Sequence, residues 1–592
     1  MSADNEQSAL TWLEDGGALS ESLEGFQPRP QQQAMAQAIV DLLAGQGVLV
    51  VEAGTGVGKT FAYLIPTLAS GERVILSTGS KTLQDQLFFK DLPVVRDALK
   101  LPISAALLKG RANYLCLHRL DLTSEEGRFT DRREIGWLRR LESWSRLTET
   151  GDIAEMTAIP HDAEIWPKVT STIENCAGLE CEYYSDCFVV KARRKAQEAD
   201  VVVVNHHLFF ADVALKEEGV GELLPAADVV VLDEAHQLPE IASNFFSETV
   251  SSRQLQEWSR DTLAEFLVNA KDMPIIRDKL NVLDKAILDL RLVMDAPGQR
   301  SSWLMMRDRP GIIEHTNALL AAMQELEALL VEIVERSKGL ELCHERLVEL
   351  RERLARMQVP QTDVIQWFET FTRSFTLTAT PLDVAAPLQR CMETLPCRWV
   401  MTSATLAVGD SFEHFTKRLG ITEAATLKLD SPFDYWHHAL MYLPMGLPEP
   451  QQPDFVEKMV AAAIPVIKAC GGRTFMLFTS YRAMHEAAEL LEGEFDYPML
   501  IQGASPQREM IDKFRELGNA VLLGTASFWE GVDVRGEALS CVIIDKLPFA
   551  APNDPVLEAR LETMRREGGN PFADYQLPQA VIALKQGVGR LI

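Results

Sequence analysis

Short runs of β-branched and other apolar residues recur along the chain, and helix-like segments separate most of them. Such runs, each followed at once by polar or glycine-rich residues, are the pattern of buried parallel strands in an α/β fold. Ligands of open parallel sheets bind at the carboxyl ends of the strands, so the residues after each run are the candidates for chemistry. The runs are residues 48–51, 74–76, 201–204, 229–232, 399–401, 474–478, 521–523 and 542–544.

Two stretches interrupt this alternation. Residues 110–197 hold four cysteines and clustered arginines without a convincing strand. Residues 245–390 are rich in Leu, Glu and Arg, and the apolar spacing over residues 312–357 favours long packed helices. We interpret both as insertions into the first of two α/β domains. The predicted boundaries are 1–110, 198–244 and 391–430 for the first domain, 111–197 and 245–390 for its insertions, and 431–592 for the second domain.

Composition limits the class of protein. The 592 residues are 47% hydrophobic and 24% charged, which is ordinary globular composition and excludes a disordered or disulfide-stapled chain. No stretch approaches the ~18 uncharged apolar residues of a membrane span, and residues 1–10 lack the apolar core of a signal peptide. We therefore expect a soluble, cytoplasmic protein. The net charge of −27 argues against non-specific coating of polyanions but permits a local basic stripe.

Residues 50–60 predict a strand, a glycine-rich loop and the start of a helix. In such a loop the backbone N–H groups turn inward on phosphates, the lysine reaches the β- and γ-phosphates, and the following hydroxyl ligates Mg²⁺. Lys59 and Thr60 fill these two positions, and Ala53 replaces the usual first glycine. The predicted ATP-binding residues of the loop are Ala53, Gly54, Thr55, Gly56, Val57, Gly58, Lys59 and Thr60.

A carboxylate pair follows the predicted strand at residues 229–232. Asp233 is in the position of a Mg²⁺ ligand, and Glu234 in that of the base that orients and deprotonates the attacking water. His236 is a candidate for coupling this site to the second domain.

With these motifs the chain resembles a superfamily 2 helicase. Residues 26–32 look like the adenine-reading segment, with Arg29 and Gln32 as contacts, and residues 77–78 with 83–86 look like the first strand-contacting motif. Residues 403–405, Ser-Ala-Thr, look like the motif that links hydrolysis to unwinding. Residues 528–533 and 586–590 look like the two motifs that the second domain presents to ATP, including Asp533 and Gln586.

Arg590 is the candidate for stabilising charge on the γ-phosphoryl group. An arginine inserted across a cleft accelerates such transfer by roughly 10³- to 10⁵-fold. Because it comes from the second domain, the cleft must close before hydrolysis, which couples chemistry to motion. The family pattern continues with a second arginine three residues later and with a C-terminal segment. The resemblance therefore implies a truncated chain that lacks both and whose own ATPase competence is affected.

Four of the nine cysteines are grouped. Cys116, Cys176, Cys181 and Cys187 have 59, 4 and 5 residues between them, and four nearby thiolates suit either Zn²⁺ or an iron–sulfur cluster. Spacing alone leaves both metals open. The other cysteines show no such grouping.

The cysteines refine the resemblance to the XPD/DinG group, since that group carries them between the phosphate-loop strand and the Asp-Glu-Ala-His strand. Residues 110–116 and 204–207 are similar to the bacterial DinG and YoaA branch, and most of all to YoaA. The resemblance implies two RecA-like parallel-sheet domains, a [4Fe–4S] cluster on the four cysteines, and a mainly helical, arch-like second insertion. It also implies action in replication-linked DNA repair and binding of the clamp-loader χ subunit through the missing C-terminal segment.

A basic segment follows Cys187 directly. Residues 191–195 carry four positive charges, and Arg111 with Tyr114 flanks the first cysteine, so charge and an aromatic platform favour a single-strand channel. A solvated helix face is the alternative interpretation. Phe528 and Trp529 have two interpretations as well, contact with DNA or packing beneath their loop.

The leading hypothesis is an ATP- and Mg²⁺-dependent helicase that acts on single-stranded and forked DNA near the bacterial nucleoid, with 5′-to-3′ polarity implied by the resemblance. The alternative is an ATP-gated, redox-responsive DNA-binding clamp that does not unwind. The joint presence of Lys59, Asp233 and Glu234 speaks against the clamp, which does not require a water-activating base.

Overall fold

The computed structural model describes residues 10–23, 26–126, 131–160, 162–173, 175–217, 223–505, 507–525, 528, 538–550 and 553–591. These residues form two parallel sheets and one antiparallel sheet. The strands are β1 (Val48–Ala53), β2 (Val74–Thr78), β3 (Ala105–Leu107), β4 (Val201–Asn205), β5 (Val229–Asp233), β6 (Glu248–Ser251), β7 (Arg300–Ser302), β8 (Val364–Thr370), β9 (Phe375–Pro381), β10 (Arg398–Ser403), β11 (Ala425–Leu429), β12 (Thr474–Leu477), β13 (Met499–Ile501), β14 (Val521–Gly524) and β15 (Cys541–Ile544).

The first sheet has seven parallel strands in the order β11-β1-β10-β5-β2-β4-β3. Its inner strands β1, β10, β5, β2 and β4 are buried on both faces by apolar side chains, as continuous β-branched runs require, whereas the edge strand β11 is largely exposed. Glu52 of β1 lies opposite Ser403 of β10, and Thr402 lies opposite Asp233 of β5, so three carboxyl ends are level at one edge. The helices of this first lobe are Ala18–Ser22, Pro30–Leu43, Lys59–Ala69, Lys81–Gln86, Leu92–Leu99, His206–Glu217, Leu238–Phe245, Ala385–Thr394 and Glu413–Arg418.

The second sheet has four parallel strands in the order β13-β14-β12-β15. Its central strands β12 and β14 are fully buried, with separate apolar clusters on the two faces. The helices of this second lobe are Phe455–Ala469, Tyr481–Leu491, Gln507–Leu517, Pro555–Arg566 and Leu577–Val588, and Tyr435–His438 lies in the linker before them.

The stretch with four grouped cysteines has a small core of its own, which includes Leu141, Trp166 and Phe188. Its described residues contain helices and isolated bridges but no strand. The helices are Leu117–Glu126, Arg132–Trp144, Trp166–Val169 and Phe188–Glu198.

The stretch from β6 to β9 combines long helices with a sheet that the sequence did not predict. Its helices are Ser252–Asn269, Ile275–Val293, Pro310–Val331 and Lys338–Met357, and the last two span the stretch where helical spacing was noted. The antiparallel sheet has the order β6-β9-β8-β7. Its two long strands, β8 and β9, are joined by a tight turn near residues 371–374. The sequence pattern of this hairpin is short, and the helix formers around it dominate the composition of the segment.

Each of the eight predicted runs lies in a parallel strand, although β12 ends one residue before Phe478. The predicted α/β class with two parallel sheets is therefore confirmed. Among the residues that the structure describes, no helix has both the length and the apolar character needed to cross a membrane.

Candidate nucleotide site and nucleic-acid surface

The phosphate loop connects β1 to the helix Lys59–Ala69. Gly56 and Gly58 have φ angles of 86° and 84°, in the left-handed region that favours glycine. A Cβ atom at Gly54 would lie 2.7 Å from the backbone nitrogen of Ser431, so the chain passes too closely for a side chain. The N-terminus of the helix is thereby presented at the loop, where its N–H groups favour an anion.

Arg29 and Gln32 contact this loop from outside. The Arg29 guanidinium donates to the Gly56 carbonyl, and Gln32 Nε2 donates to the Gly58 carbonyl at 3.0 Å. Gln32 is only 2% exposed. In this structure both side chains stabilise the loop conformation, while their predicted contact with adenine stays a prediction.

The predicted carboxylate pair faces the loop. The Lys59 Nζ atom lies 3.9 Å from Glu234 Oε1, and Tyr63 Oη donates to Asp233 Oδ2 at 3.2 Å. Burial, and secondarily the charge of Glu234, raises the pKa of Asp233. Burial alone would also raise the pKa of Glu234, but the ammonium of Lys59 and the bonds to His236 and Ser403 lower it overall. Glu234 is therefore held as a carboxylate, the form a base requires.

A hydrogen-bonded group connects this pair to the end of β10. His236 Nδ1 lies 2.8 Å from Ser403 Oγ and 3.4 Å from Glu234 Oε2, and Ser403 Oγ lies 3.2 Å from the same carboxylate oxygen. The contacts described for His236 are thus within the first lobe, and they lead to the Ser-Ala-Thr segment. Glu234 itself has a φ of 56°, so the backbone is strained at this position.

We expect Ser403→Ala to reduce strand separation per ATP hydrolysed about tenfold, because it removes the hydroxyl that contacts both His236 Nδ1 and Glu234 Oε2. A hydrogen bond to a charged group contributes roughly 1.5–3 kcal/mol. ATP turnover and fork unwinding measured on the same sample give this ratio. Ser411→Ala, at an exposed serine of the same lobe, is the matched control. If Ser403→Ala separates as many strands per ATP as the unaltered protein, Ser403 does not link hydrolysis at Glu234 to unwinding.

The second lobe reaches the same edge through the helix Leu577–Val588. The buried Gln586 side chain donates from Nε2 to Thr405 Oγ1 at 3.2 Å. A Cβ atom at Gly589 would lie 3.6 Å from Thr55 Cγ2 of the phosphate loop. Arg590 lies in the short helical turn Gly589–Leu591, and its side chain falls outside the described residues, as does all of Asp533.

The linker between the lobes, which the sequence marks only as a domain boundary, contributes residues to the site. Ser431 Oγ donates to the Thr55 carbonyl at 2.8 Å, and the Phe433 ring packs directly against Gly56. A serine-proline-phenylalanine segment has no motif that marks it for a nucleotide site, so only the folded arrangement identifies it.

Electrostatic interactions link Cys116 to Cys176 and Cys181, and Cys181 to Cys176 and Cys187. Burial raises the pKa of Cys116, and the neighbouring thiols of Cys176 and Cys181 raise it further. Burial also raises the pKa of Cys181, and the thiols of Cys176 and Cys187 add to that effect. Arg111 Nη1 donates to Cys176 Sγ at 2.8 Å. Within the described ranges, however, no three His, Cys, Asp or Glu side chains are arranged closely enough to hold a metal ion.

The basic segment after Cys187 lies on the helix Phe188–Glu198. Arg194 and Lys195 are exposed, whereas Arg193 is half-buried, and burial followed by the charge of Arg111 lowers its pKa while Cys176 and Cys187 act in the opposite direction. The predicted aromatic platform is wrong, because Tyr114 is only 4% exposed and its hydroxyl accepts a hydrogen bond from the Lys109 amide at 3.0 Å. A tyrosine flanked by arginine has the same local sequence whether it faces solvent or a core.

Two other candidate DNA-contacting side chains are internal. Gln84 is fully buried and donates to the carbonyl of Leu108, just after β3, at 2.8 Å and to that of Val203 in β4 at 3.2 Å, so it stabilises this part of the first lobe. Phe528 packs in the core of the second lobe, which supports packing over DNA contact, while Trp529 lies outside the described residues.

Two parallel-sheet lobes meeting at a phosphate loop, with a lysine, a carboxylate pair and a cross-lobe glutamine, define a helicase-class ATPase. Family profiles agree: one described as DEAD_2 matches residues 89–255, and one described as "Helicase C-terminal domain" matches residues 463–592.

The chain is also similar to curated proteins over most of its length. It is 46% identical over 581 residues to the ATP-dependent DNA helicase YoaA of Escherichia coli (strain K12), covering 97% of this chain and 91% of that protein. It is 30% identical over 601 residues to the ATP-dependent helicase DinG of Mycobacterium tuberculosis (strain ATCC 25618 / H37Rv), covering 95% and 88%. Among solved structures, S. tokodaii Xpd4 aligns with a TM-score of 0.56 at 14% identity, covering 95% and 92%, which shows the shared fold.

The chain belongs to the YoaA and DinG family of ATP-dependent DNA helicases, within the XPD/DinG group. It is an ATP-hydrolysing DNA helicase with RecA-like lobes. The non-unwinding clamp is accordingly not favoured.

Proposed function

We propose that this helicase moves 5′ to 3′ along one strand and separates forked duplexes in replication-linked repair at the nucleoid. The observation that carries nucleotide-driven movement is the meeting of both lobes at the phosphate loop, with Gln586 bonded to Thr405 and Gly589 beside Thr55. The direction of movement, the forked substrate and the repair role rest on the resemblance to the DinG and YoaA branch. A site shared by two lobes makes their separation depend on nucleotide, which is the requirement for directed movement.

We assign the hydrolytic roles to the residues at this edge. Thr60 and Asp233 would ligate Mg²⁺, Lys59 would bind the β- and γ-phosphates, and Glu234 would deprotonate the attacking water. Arg590 would stabilise charge on the γ-phosphoryl oxygens once the lobes close, with Asp533 and Gln586 completing the second lobe's contribution.

We assign a [4Fe–4S] cluster to Cys116, Cys176, Cys181 and Cys187. The donor set consists only of sulfur, which suits a cluster, and the guanidinium groups of Arg111 and Arg193 beside Cys176 would offset the negative charge of four thiolates. When bound, the cluster supplies a rigid cross-link among distant chain segments and a centre that can change oxidation state.

We divide the chain as its sequence suggested, with residues 111–197 and 245–390 as insertions into the first lobe and residues 431–592 as the second lobe. The two insertions contact each other. Arg119 Nη1 lies 3.2 Å from Asp261 Oδ1, and Lys338 Nζ lies 3.4 Å from Glu180 Oε1. These cross-insertion ion pairs support a closed ring around a single strand. Binding of the clamp-loader χ subunit stays an expectation from the resemblance.

Polarity is tested with forked and partial duplexes that carry a 5′ or a 3′ single-stranded tail. The proposal predicts ATP-dependent separation of the 5′-tailed and forked duplexes and little separation of the 3′-tailed one. Equal separation of both tailed substrates, or preference for the 3′ tail, would contradict the assigned direction.

Salt provides a test of the basic surface around Arg194 and Lys195. On an acidic body, binding to single-stranded DNA must rely on local phosphate contacts, so affinity should fall steeply with salt, with a log–log slope of about −0.7 per contact. Removing both charges in Arg194→Ala/Lys195→Ala should flatten that slope by roughly one to two. Removing the exposed charges of Arg139 and Arg140 is the matched control. If Arg194→Ala/Lys195→Ala has the same salt slope as the unaltered protein, DNA does not bind at this basic surface.

A further inference from the structure

The segment at the end of β10, residues 403–407, is held by a buried carboxylate of a neighbouring strand. Glu52 is the last residue but one of β1, just before the phosphate loop. Its Oε2 atom accepts from the backbone N–H groups of Leu406 and Ala407, each at 2.5 Å. Glu52 thus fixes the segment whose first residue, Ser403, contacts the hydrolytic carboxylate Glu234.

The second lobe contacts the same carboxylate with a cation. Lys585, on the helix Leu577–Val588, places Nζ 3.1 Å from Glu52 Oε1 and 3.2 Å from the Ala407 carbonyl. The next residue, Gln586, bonds to Thr405. Two consecutive side chains therefore attach this helix to one short segment of the first lobe.

The carboxylate of this ion pair is shielded from water, while the ammonium is partly exposed. The Glu52 side chain is 7% exposed and that of Lys585 is 38% exposed. A carboxylate removed from water interacts with a nearby ammonium at a lower effective dielectric constant. Its second oxygen is already satisfied by two N–H groups, so the free lone pairs of Oε1 are directed at the second lobe.

We propose that Glu52 and Lys585 form a positioning pair that sets the helix Leu577–Val588 against the phosphate loop when the lobes close. The pair lies at the junction of three parts of the site: the phosphate loop after Glu52, the segment leading from Ser403, and the turn that carries Arg590. Movement of the second lobe is thereby transmitted to the residues around Glu234. The proposal deepens the proposed function and rests on it for the role of Arg590.

The test compares Lys585→Met, Lys585→Arg, Glu52→Gln and the double variant Glu52→Gln/Lys585→Met by steady-state ATP turnover on single-stranded DNA. We expect Lys585→Met to lower kcat about tenfold with the KM for ATP within about twofold, because alignment and not nucleotide affinity is lost. Lys585→Arg keeps the charge and should recover most of the rate. The double variant should lose no more than the worse single variant, since both remove one interaction.

Lys458→Met, at an exposed lysine paired with Asp454 on the surface of the same lobe, is the matched control and should keep full turnover. Because Lys585 is partly exposed, Lys585→Met tests the pair even if Glu52→Gln folds poorly. An unchanged kcat in Lys585→Met, a rise in KM alone, or additive losses in the double variant would overturn the pair. Arg590→Ala, measured in parallel, separates the two proposals: full turnover there contradicts the role of Arg590, whereas the non-additivity of Glu52 and Lys585 is judged independently.

Discussion

Lys59→Ala is expected to lower ATP turnover at least about 10²- to 10³-fold, the usual consequence of removing one group aimed at developing charge. Lys59 is the first residue of the helix that follows the phosphate loop, and its ammonium lies 3.9 Å from Glu234. The substitution therefore removes a phosphate ligand and also the charge that keeps the pKa of Glu234 low. Phosphate release in the presence of single-stranded DNA measures the effect.

DNA binding provides the control for this substitution. The basic helix Phe188–Glu198 lies in a different part of the chain, so Lys59→Ala should bind single-stranded DNA with nearly unchanged affinity. Lys417→Ala, at an exposed lysine of the same lobe, should leave turnover intact. Turnover retained by Lys59→Ala would remove the phosphate assignment.

The proposed cluster predicts a brown protein, and Cys181→Ser is expected to remove that colour together with the unwinding activity. A serine hydroxyl is not deprotonated as a thiol is, so one of four ligands would be lost and the cluster with it. Visible absorbance, with iron and acid-labile sulfide measured on the same sample, reports the cluster independently of activity. The expected result is four iron and four sulfide per unaltered chain and a near-complete loss of both in the variant.

Cys470→Ser is the matched control, because Cys470 lies in the second lobe, far in sequence from the grouped cysteines. It should keep both colour and unwinding. A colourless unaltered protein that contains zinc would replace the cluster assignment with a structural zinc site. Full colour in Cys181→Ser would remove that cysteine from the ligand set.

The parallel strands and the phosphate loop could be predicted because each rests on a local pattern. Continuous β-branched runs require burial on both faces, and a glycine loop before Lys59 has one common structural solution. The carboxylate pair Asp233 and Glu234 could also be predicted from a local pattern, because both residues come directly after a predicted strand. Their proximity to Lys59 then follows from the carboxyl ends of β1, β10 and β5 lying level at one edge of the sheet.

Contacts between distant segments could not be predicted in this way. Glu52 looked like an ordinary strand residue, yet it accepts from Leu406 and binds Lys585 because β1 and β10 are neighbours and the second lobe lies over their ends. The prediction that Tyr114 forms an exposed platform was wrong for a related reason, because its burial depends on how residues 111–197 pack as a unit. The antiparallel sheet β6-β9-β8-β7 was missed because β6 and β7 are short and separated in sequence from the β8–β9 hairpin by long helices.

The central claim is that hydrolysis of ATP, not its binding alone, drives strand separation. The most direct measurement follows a labelled forked duplex with the full chain in ATP, in a non-hydrolysable ATP analogue and without nucleotide, while DNA binding is recorded in each condition. We predict separation only with ATP, with DNA bound in all three conditions. Equal separation with the analogue, or DNA binding gated by ATP with no separation at all, would contradict the account.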